Sequence, residues 1–117
     1  MQIKPQKQWQ IRSKLWLEVN GHPVIGEGRM AMLEAIDRHG SIVQASRETG
    51  IAYRKIRGAI REMESILGRS MVRAYRGGKY QGGANLTVEA RELMDSYTKL
   101  AESLQAEMNT RFEEFFG

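Results

Sequence analysis

The segment SIVQASRETGIAYRKIRGAIREMESIL, residues 41–67, decides the fold, because it holds two helical patterns separated by a break at residues 49–51. In the second pattern, apolar residues recur every three or four positions, which places them on one face of a helix. These apolar residues are Ile56, Ile60, Met63 and Leu67. A basic edge on a different face consists of Arg54, Arg57 and Arg61.

This pattern predicts a helix-turn-helix whose second helix meets DNA with residues 53–61. A helix that buries one face and carries arginines on another fits a duplex groove. Tyr53 and Lys55 flank the basic edge near the helix start. On this segment alone, a solvated basic face is an equally good interpretation.

Composition limits the classes of protein to consider. The 117 residues correspond to one domain, 41% of them are apolar, and none is cysteine, which excludes disulfides and thiol chemistry. There is no apolar run long enough to span a bilayer and no hydrophobic signal core. We therefore expect a cytoplasmic protein.

Charge is unevenly distributed along the chain. Residues 1–86 contain 15 Lys/Arg and 7 Asp/Glu, whereas residues 87–117 contain 3 Lys/Arg and 7 Asp/Glu. A basic region followed by an acidic segment is typical of a nucleic-acid binder whose last segment has another role.

The chain before the helix-turn-helix has three parts. Residues 1–13 are predicted to be a flexible arm. Alternating apolar residues around Asn20-Gly21 predict a β-hairpin over residues 14–25, too small to be stable unless it packs on the helices or on a partner chain. Gly26-Glu27-Gly28 is interpreted as a flexible joint, followed by a helix from about Arg29 to His39, with His39 as a helix-end residue and not a ligand.

Capping signals mark the helix-turn-helix itself. Ser41 with Gln44 three residues later is a capping box. Ala52 stands where a capping side chain is normal, and Gly58 lies in mid-helix; each costs roughly 1 kcal/mol. Gly58 indicates either close approach of the DNA backbone or tight packing against the first helix.

A hairpin wing is predicted after Gly68. Residues 71–75 and 84–86 form two short strands, and the loop between them contains four glycines. Arg73, Arg76 and Lys79 supply positive charge there. Neither a phosphate-binding P-loop nor a GxGxxG motif is present.

Thr87 is predicted to cap a last helix that reaches about Phe116 and is some 45 Å long. Its apolar positions repeat every 3.67 residues, so a pairing helix would be almost straight. They are Leu93, Tyr97, Leu100, Leu104, Met108, Phe112 and Phe115. A domain this small cannot cover such a stripe by itself, so we expect residues 87–117 to be a homodimerisation helix; the alternative is a helix folded back on its own domain.

Several motifs carry a family resemblance over about residues 14–104. They are Gly26-Glu27-Gly28-Arg29, Leu33-Glu34-Ala35-Ile36, Gly40-Ser41-Ile42, Gly50-Ile51-Ala52-Tyr53-Arg54, Gly77-Gly78 with Gly82-Gly83-Ala84, and Leu86-Thr87. In this order the chain resembles the N-terminal domain of molybdate-responsive transcription regulators, the ModE family, and more loosely the LysR-type winged helix. The paired-glycine wing is the most specific part.

The resemblance implies a mainly α fold with small β-hairpins, a winged helix-turn-helix over residues 14–86, and a dimer on a palindromic operator in double-stranded DNA. It also implies the DNA contacts. By position these are Ser41, Gln44, Tyr53, Arg54, Lys55, Arg57 and Arg61, with Arg76 and Lys79 in the wing; Gly58 joins them from its mid-helix position.

Two departures from the family pattern stand out. The family usually has Ser at the position of Ala52 and Trp at that of Arg57, so we expect a more basic edge and a different operator. Full-length regulators also carry C-terminal oxyanion-binding domains, and we expect this chain not to bind molybdate in their way, whether it is a stand-alone relative or a fragment.

Sequence-specific transcriptional regulation is therefore the leading hypothesis. The alternative is a winged-helix protein-interaction module with nonspecific DNA affinity, which would use the acidic aromatic segment from residue 112 to 116. We expect no enzyme, cofactor or metal, because the histidines stand apart and no ligand spacing is evident.

Overall fold

The computed structural model describes residues 8–75 and 83–117. The elements follow in chain order as β1 Trp16–Val19, β2 His22–Gly26, α1 Glu27–His39, α2 Ile42–Thr49, α3 Tyr53–Leu67, β3 Val72–Tyr75, β4 Gly83–Leu86 and α4 Val88–Phe116. Two separate antiparallel hairpins, β1–β2 and β3–β4, flank the helices. This is the winged helix-turn-helix that the sequence predicts, with β3 and β4 as the described part of the wing.

The first hairpin turns at Asn20 and Gly21, whose φ angles of 51° and 81° give the predicted turn with two positive φ values. The hairpin packs on the helices of its own chain, because Val24 and Ile25 are buried in the core. Arg29 of α1 also donates to the carbonyl oxygen of Val24 at 2.8 Å.

The flexible joint predicted at residues 26–28 is wrong. Gly26 is the last residue of β2 and the N-cap of α1, and Glu27 and Gly28 form the first turn of the helix. A carboxylate in the first turn is favourable at the positive end of the helix dipole. This favourable interaction offsets part of the helix-propensity cost of Gly28, roughly 1 kcal/mol.

Helices α2 and α3 meet at a tight turn. Gly50 has a φ of 71°, and the Ser46 hydroxyl donates to the carbonyl oxygen of Ile51 at 2.6 Å. The Ser41 hydroxyl accepts from the Gln44 backbone N–H, as the capping box predicts, and Ala52 provides no side-chain cap. Ala45 of α2 is fully buried.

One apolar core joins these elements. Its buried members come from β2, all four helices, the start of the wing and β4: Val24, Ile25, Met30, Met32, Leu33, Ala35, Ile36, Ile42, Ala45, Ile56, Ala59, Ile60, Met63, Met71, Ala84, Leu86, Ala90 and Tyr97. The core therefore holds the inner face of α3 and leaves its other faces to solvent.

Helix α4 begins at the predicted cap, where the Thr87 hydroxyl accepts from the Ala90 N–H. Arg91 forms an ion pair with Asp37 of α1 at 2.7 Å. Only Ala90 and Tyr97 of its 29 residues are buried. None of the helices in the described part of the chain is both long and apolar enough to cross a membrane.

Candidate nucleic-acid interface

The outward faces of α3 bring together most of the residues predicted to contact DNA. Tyr53, Arg54, Arg57, Gly58 and Arg61 line one shallow hollow of about 270 Å³. Tyr53, with 44% of its surface exposed, stands at the start of this row. Lys55 is also exposed on α3. The basic edge inferred from residue spacing is thus a continuous surface.

The α3 cations are not neutralised within the described residues. No acid in residues 8–75 and 83–117 forms an ion pair with Arg54, Lys55, Arg57 or Arg61. The two acids of α3 have other partners. Glu62 pairs with Arg29 at 3.0 Å, and Glu64 accepts hydrogen bonds from the start of the wing. The outer face of α3 therefore presents unpaired positive charge, which suits phosphate oxygens and guanine edges.

Gly58 is exposed, and a Cβ atom placed on it would meet no atom within 4 Å. Tight packing against the first helix, one of the two explanations of this glycine, is therefore wrong. Close approach of the DNA backbone remains a prediction.

Ser41 and Gln44 lie at the start of α2 and do not line the hollow on α3. Ser41 is half-buried and caps α2, whereas Gln44 is exposed. Arg76 and Lys79, predicted to contact DNA from the wing, lie outside the described residues.

A second hollow, of about 200 Å³, separates α3 from the wing. Arg57 and Arg61 line it from α3, and Val72 and Ala74 line it from β3. These two arginines therefore belong both to the face of α3 and to the space between α3 and the wing.

A cluster of charged side chains joins the C-terminal ends of α1 and α2. The Arg38 guanidinium donates twice to the Glu48 carboxylate, and His39 Nε2 lies 3.1 Å from Glu48 Oε1. Hydrogen bonds from Arg38 and then His39 lower the pKa of Glu48 from 4.5 to about 2. His39 is in the last turn of α1, as the sequence predicts for a helix-end residue. Its side chain lies near the carboxylate of Glu48 in α2.

The described residues contain no cluster of three or more His, Cys, Asp or Glu side chains that could hold a metal ion.

The predicted dimerisation residues differ in exposure along α4. Tyr97 is buried in the core of its own chain and donates from its hydroxyl to the Leu15 carbonyl oxygen at 2.8 Å; burial raises the pKa of this phenol. Leu93 also packs against that core. Leu100, Leu104 and Phe115 remain 40%, 39% and 68% exposed.

Met108 and Phe112 are half-buried, and Phe112 stacks on Phe116 with ring centroids 4.9 Å apart. The sequence did not predict that residues 8–13 of the arm lie beside this part of α4. Gln105 donates to the Ile11 carbonyl oxygen at 3.0 Å. No local sequence signal could have shown this contact, because the two residues are far apart in the chain.

Known proteins similar to this chain are regulators and molybdenum-binding proteins. It is 37% identical over 92 residues to the molybdenum-pterin-binding protein MopB of Rhodobacter capsulatus, covering 73% of this chain and 34% of that protein. It is 36% identical over 77 residues to the DNA-binding transcriptional dual regulator ModE of Escherichia coli strain K12, covering 66% and 29%.

A third relative, the molybdenum transport protein ModE of Azotobacter vinelandii, is 27% identical over 97 residues, covering 83% of this chain and 36% of the relative. The chain thus spans about a third of the length of these curated relatives. No family model matches it.

Proposed function

The chain belongs to the ModE-like N-terminal domains, and from this premise we propose that it is a sequence-specific DNA-binding transcriptional regulator that acts as a homodimer on a palindromic operator. The observation that carries the proposal is the row of cations on the outer face of α3, which have no ion-pair partner among the described residues, on a helix whose other face is buried. Arg54 and Arg57 would contact base edges, and Lys55 and Arg61 would contact phosphates.

The second helix of a helix-turn-helix reads the major groove. In this chain that helix is α3, and the described wing strands lie beside it across the hollow that Arg57 and Arg61 line. Phosphate contacts from both would fix the register of α3 on the duplex and make the affinity fall with salt.

The proposed dimer rests on α4. Beyond Tyr97 this helix has no buried residue, whereas most helical stability in proteins comes from the packing of an amphipathic face. Leu100, Leu104 and Met108 recur at helical spacing along that part. A second copy of the helix would cover them, and two α3 helices would then face half-sites about 34 Å apart.

The names of two of these relatives refer to molybdenum, and a link of this chain to molybdate or oxyanion metabolism is part of the proposal. We also propose that it acts in the cytoplasm.

One observation favours a second function. The exposed Phe115 and the neighbouring acids Glu113 and Glu114 form an aromatic, acidic end of α4 that could bind a protein partner. In this case the chain would be an interaction module with weak, sequence-independent DNA affinity.

Selection of bound sequences from a random pool of double-stranded DNA, at about 150 mM salt where phosphate contacts alone bind weakly, separates these functions. The proposed regulator enriches a palindromic motif. Binding that is sensitive to salt and enriches no sequence would contradict the regulator and favour the interaction module.

A further inference from the structure

Glu64, in the last turn of α3, is bound to the first residues of the wing. Its Oε2 atom accepts from the backbone N–H of Met71 at 2.7 Å and of Val72 at 3.3 Å. The Ser70 hydroxyl lies 3.4 Å from the same oxygen. Among the described residues, every hydrogen bond between α3 and residues 70–75 ends on this one carboxylate.

The other hydrogen bonds of the wing join it to parts of the chain outside α3. The backbone N–H of Ala84 in β4 donates to the Gly40 carbonyl oxygen at 2.9 Å, which ties the wing to the corner between α1 and α2. Thr87 donates from its hydroxyl to the Ser70 carbonyl oxygen at 2.7 Å and from its backbone to that of Met71. These bonds hold the base of the wing, but none of them joins it to α3.

Packing holds the base of the wing, because Met71, Ala84 and Leu86 are buried in the core and Val72 packs against it. Farther along β3, the residues from Arg73 to Tyr75 are exposed. The hollow of about 200 Å³ lies between the wing and Arg57 and Arg61. A gap of this kind forfeits the close contacts that would resist a change of angle.

We propose that Glu64 is a positioning residue that sets the orientation of the wing relative to α3, so that both reach the same duplex together. This inference rests on the proposed function, which supplies the duplex. Glu64 itself would not touch DNA. Its removal would leave the base contacts of α3 in place and would weaken the phosphate contacts of the wing.

The test compares the wild type with Glu64→Ala and Glu64→Gln, at a temperature where melting curves show every variant folded. Glu62→Ala is the matched control, because it removes the same charge from the same helix but contacts Arg29 and not the wing. Glu64→Gln keeps an oxygen that can accept the two N–H groups, so it should behave as the wild type does.

The first measurement uses the free protein. Residual dipolar couplings of the amides in β3 and β4 are compared with those calculated from the alignment of α1, α2 and α3. We expect agreement for the wild type, Glu64→Gln and Glu62→Ala, and disagreement for Glu64→Ala.

The second measurement is duplex affinity as a function of salt, on the selected duplex and on a scrambled one of the same length. For Glu64→Ala we expect binding to the selected and the scrambled duplex to weaken by about threefold or more. We also expect the slope of log affinity against log salt to become smaller by about one. The preference for the selected over the scrambled duplex should stay unchanged, since α3 makes the base contacts.

Unchanged couplings in Glu64→Ala would overturn the inference, and so would an unchanged salt slope, even with a lower melting temperature. A wild-type protein that binds no duplex would instead contradict the proposed function. In that case the couplings alone decide whether Glu64 orients the wing.

Discussion

Helices α3 and α4 differ in how much of their surface the core of their own chain covers. Helix α3 has 15 residues and buries Ile56, Ala59, Ile60 and Met63 in the core of its own chain, whereas α4 has 29 residues and buries only two. The exposed residues of α3 include the cations Arg54, Lys55 and Arg61, whereas those of α4 beyond Tyr97 include Leu100, Leu104 and Phe115. The chemistry of the uncovered face differs, so the expected partner differs: a polyanion for α3 and an apolar surface for α4.

The largest effect is expected on α4. In a symmetric dimer, Leu104→Asp would place one carboxylate from each copy in the apolar interface. An uncompensated buried charge costs about 3 kcal/mol or more. We expect self-association to weaken by roughly a hundredfold or more. Sedimentation over a range of protein concentrations measures this change, with the exposed Ser103→Asp as control. A wild type that stays monomeric throughout would contradict the dimer.

The next effect is expected on α3. Arg54→Ala and Arg57→Ala should each cost about 1–3 kcal/mol of specific binding, because each removes a contact to a base edge. Lys99→Ala is the control, since it removes one positive charge from an exposed position of α4. Titration of the selected duplex measures the loss. If both arginine variants bind that duplex as the wild type does, α3 is not the reading helix.

A smaller effect separates stability from binding at one position of α3. Gly58→Ala should raise the free energy of unfolding by about 1 kcal/mol, because alanine favours the helix and its Cβ meets no neighbouring atom. We expect the same change to weaken DNA binding, since the DNA backbone would approach this position closely. Urea denaturation and duplex titration measure the two quantities. Unchanged DNA affinity of Gly58→Ala would contradict a close approach of the DNA backbone to this position.

The smallest effect is expected at Glu48, whose carboxylate already has partners in Arg38 and His39. Arg38 and His39 lower the pKa of Glu48 to about 2 from 4.5, so the stability from this contact is present above pH 4.5 and is lost as the pH falls towards 2. Glu48→Gln should remove this part of the acid dependence. Melting temperatures between pH 5 and pH 3 measure it, with Glu102→Gln as control; parallel curves for wild type and Glu48→Gln would contradict the assignment.

The sequence predicted those features of the fold whose signals lie within a few residues. The Asn20-Gly21 turn, the Ser41 and Thr87 caps and the apolar face of α3 all depend on neighbours in the chain, and all are present in the structure. Local spacing also found the basic edge of α3, because residues three or four apart share a helix face.

Contacts between distant residues could not be predicted in this way. Tyr97 has the spacing of a dimer residue, yet its hydroxyl bonds to Leu15, 82 positions earlier. Gln105 bonds to Ile11 over an even longer separation. In the sequence, Glu64 is one of two acids in a basic segment, and nothing there indicates its hydrogen bond to the wing at Met71. Such contacts depend on tertiary packing, which residue periodicity does not encode.

The most direct test of the contrast between α3 and α4 is an amide chemical-shift map of the protein with and without the selected duplex. We predict the largest changes at Ser41, Gln44 and the residues from Tyr53 to Arg61, with little change along α4 beyond Leu100. Changes concentrated at the aromatic end of α4, with α3 unaffected, would contradict the assignment of α3 as the DNA-reading surface.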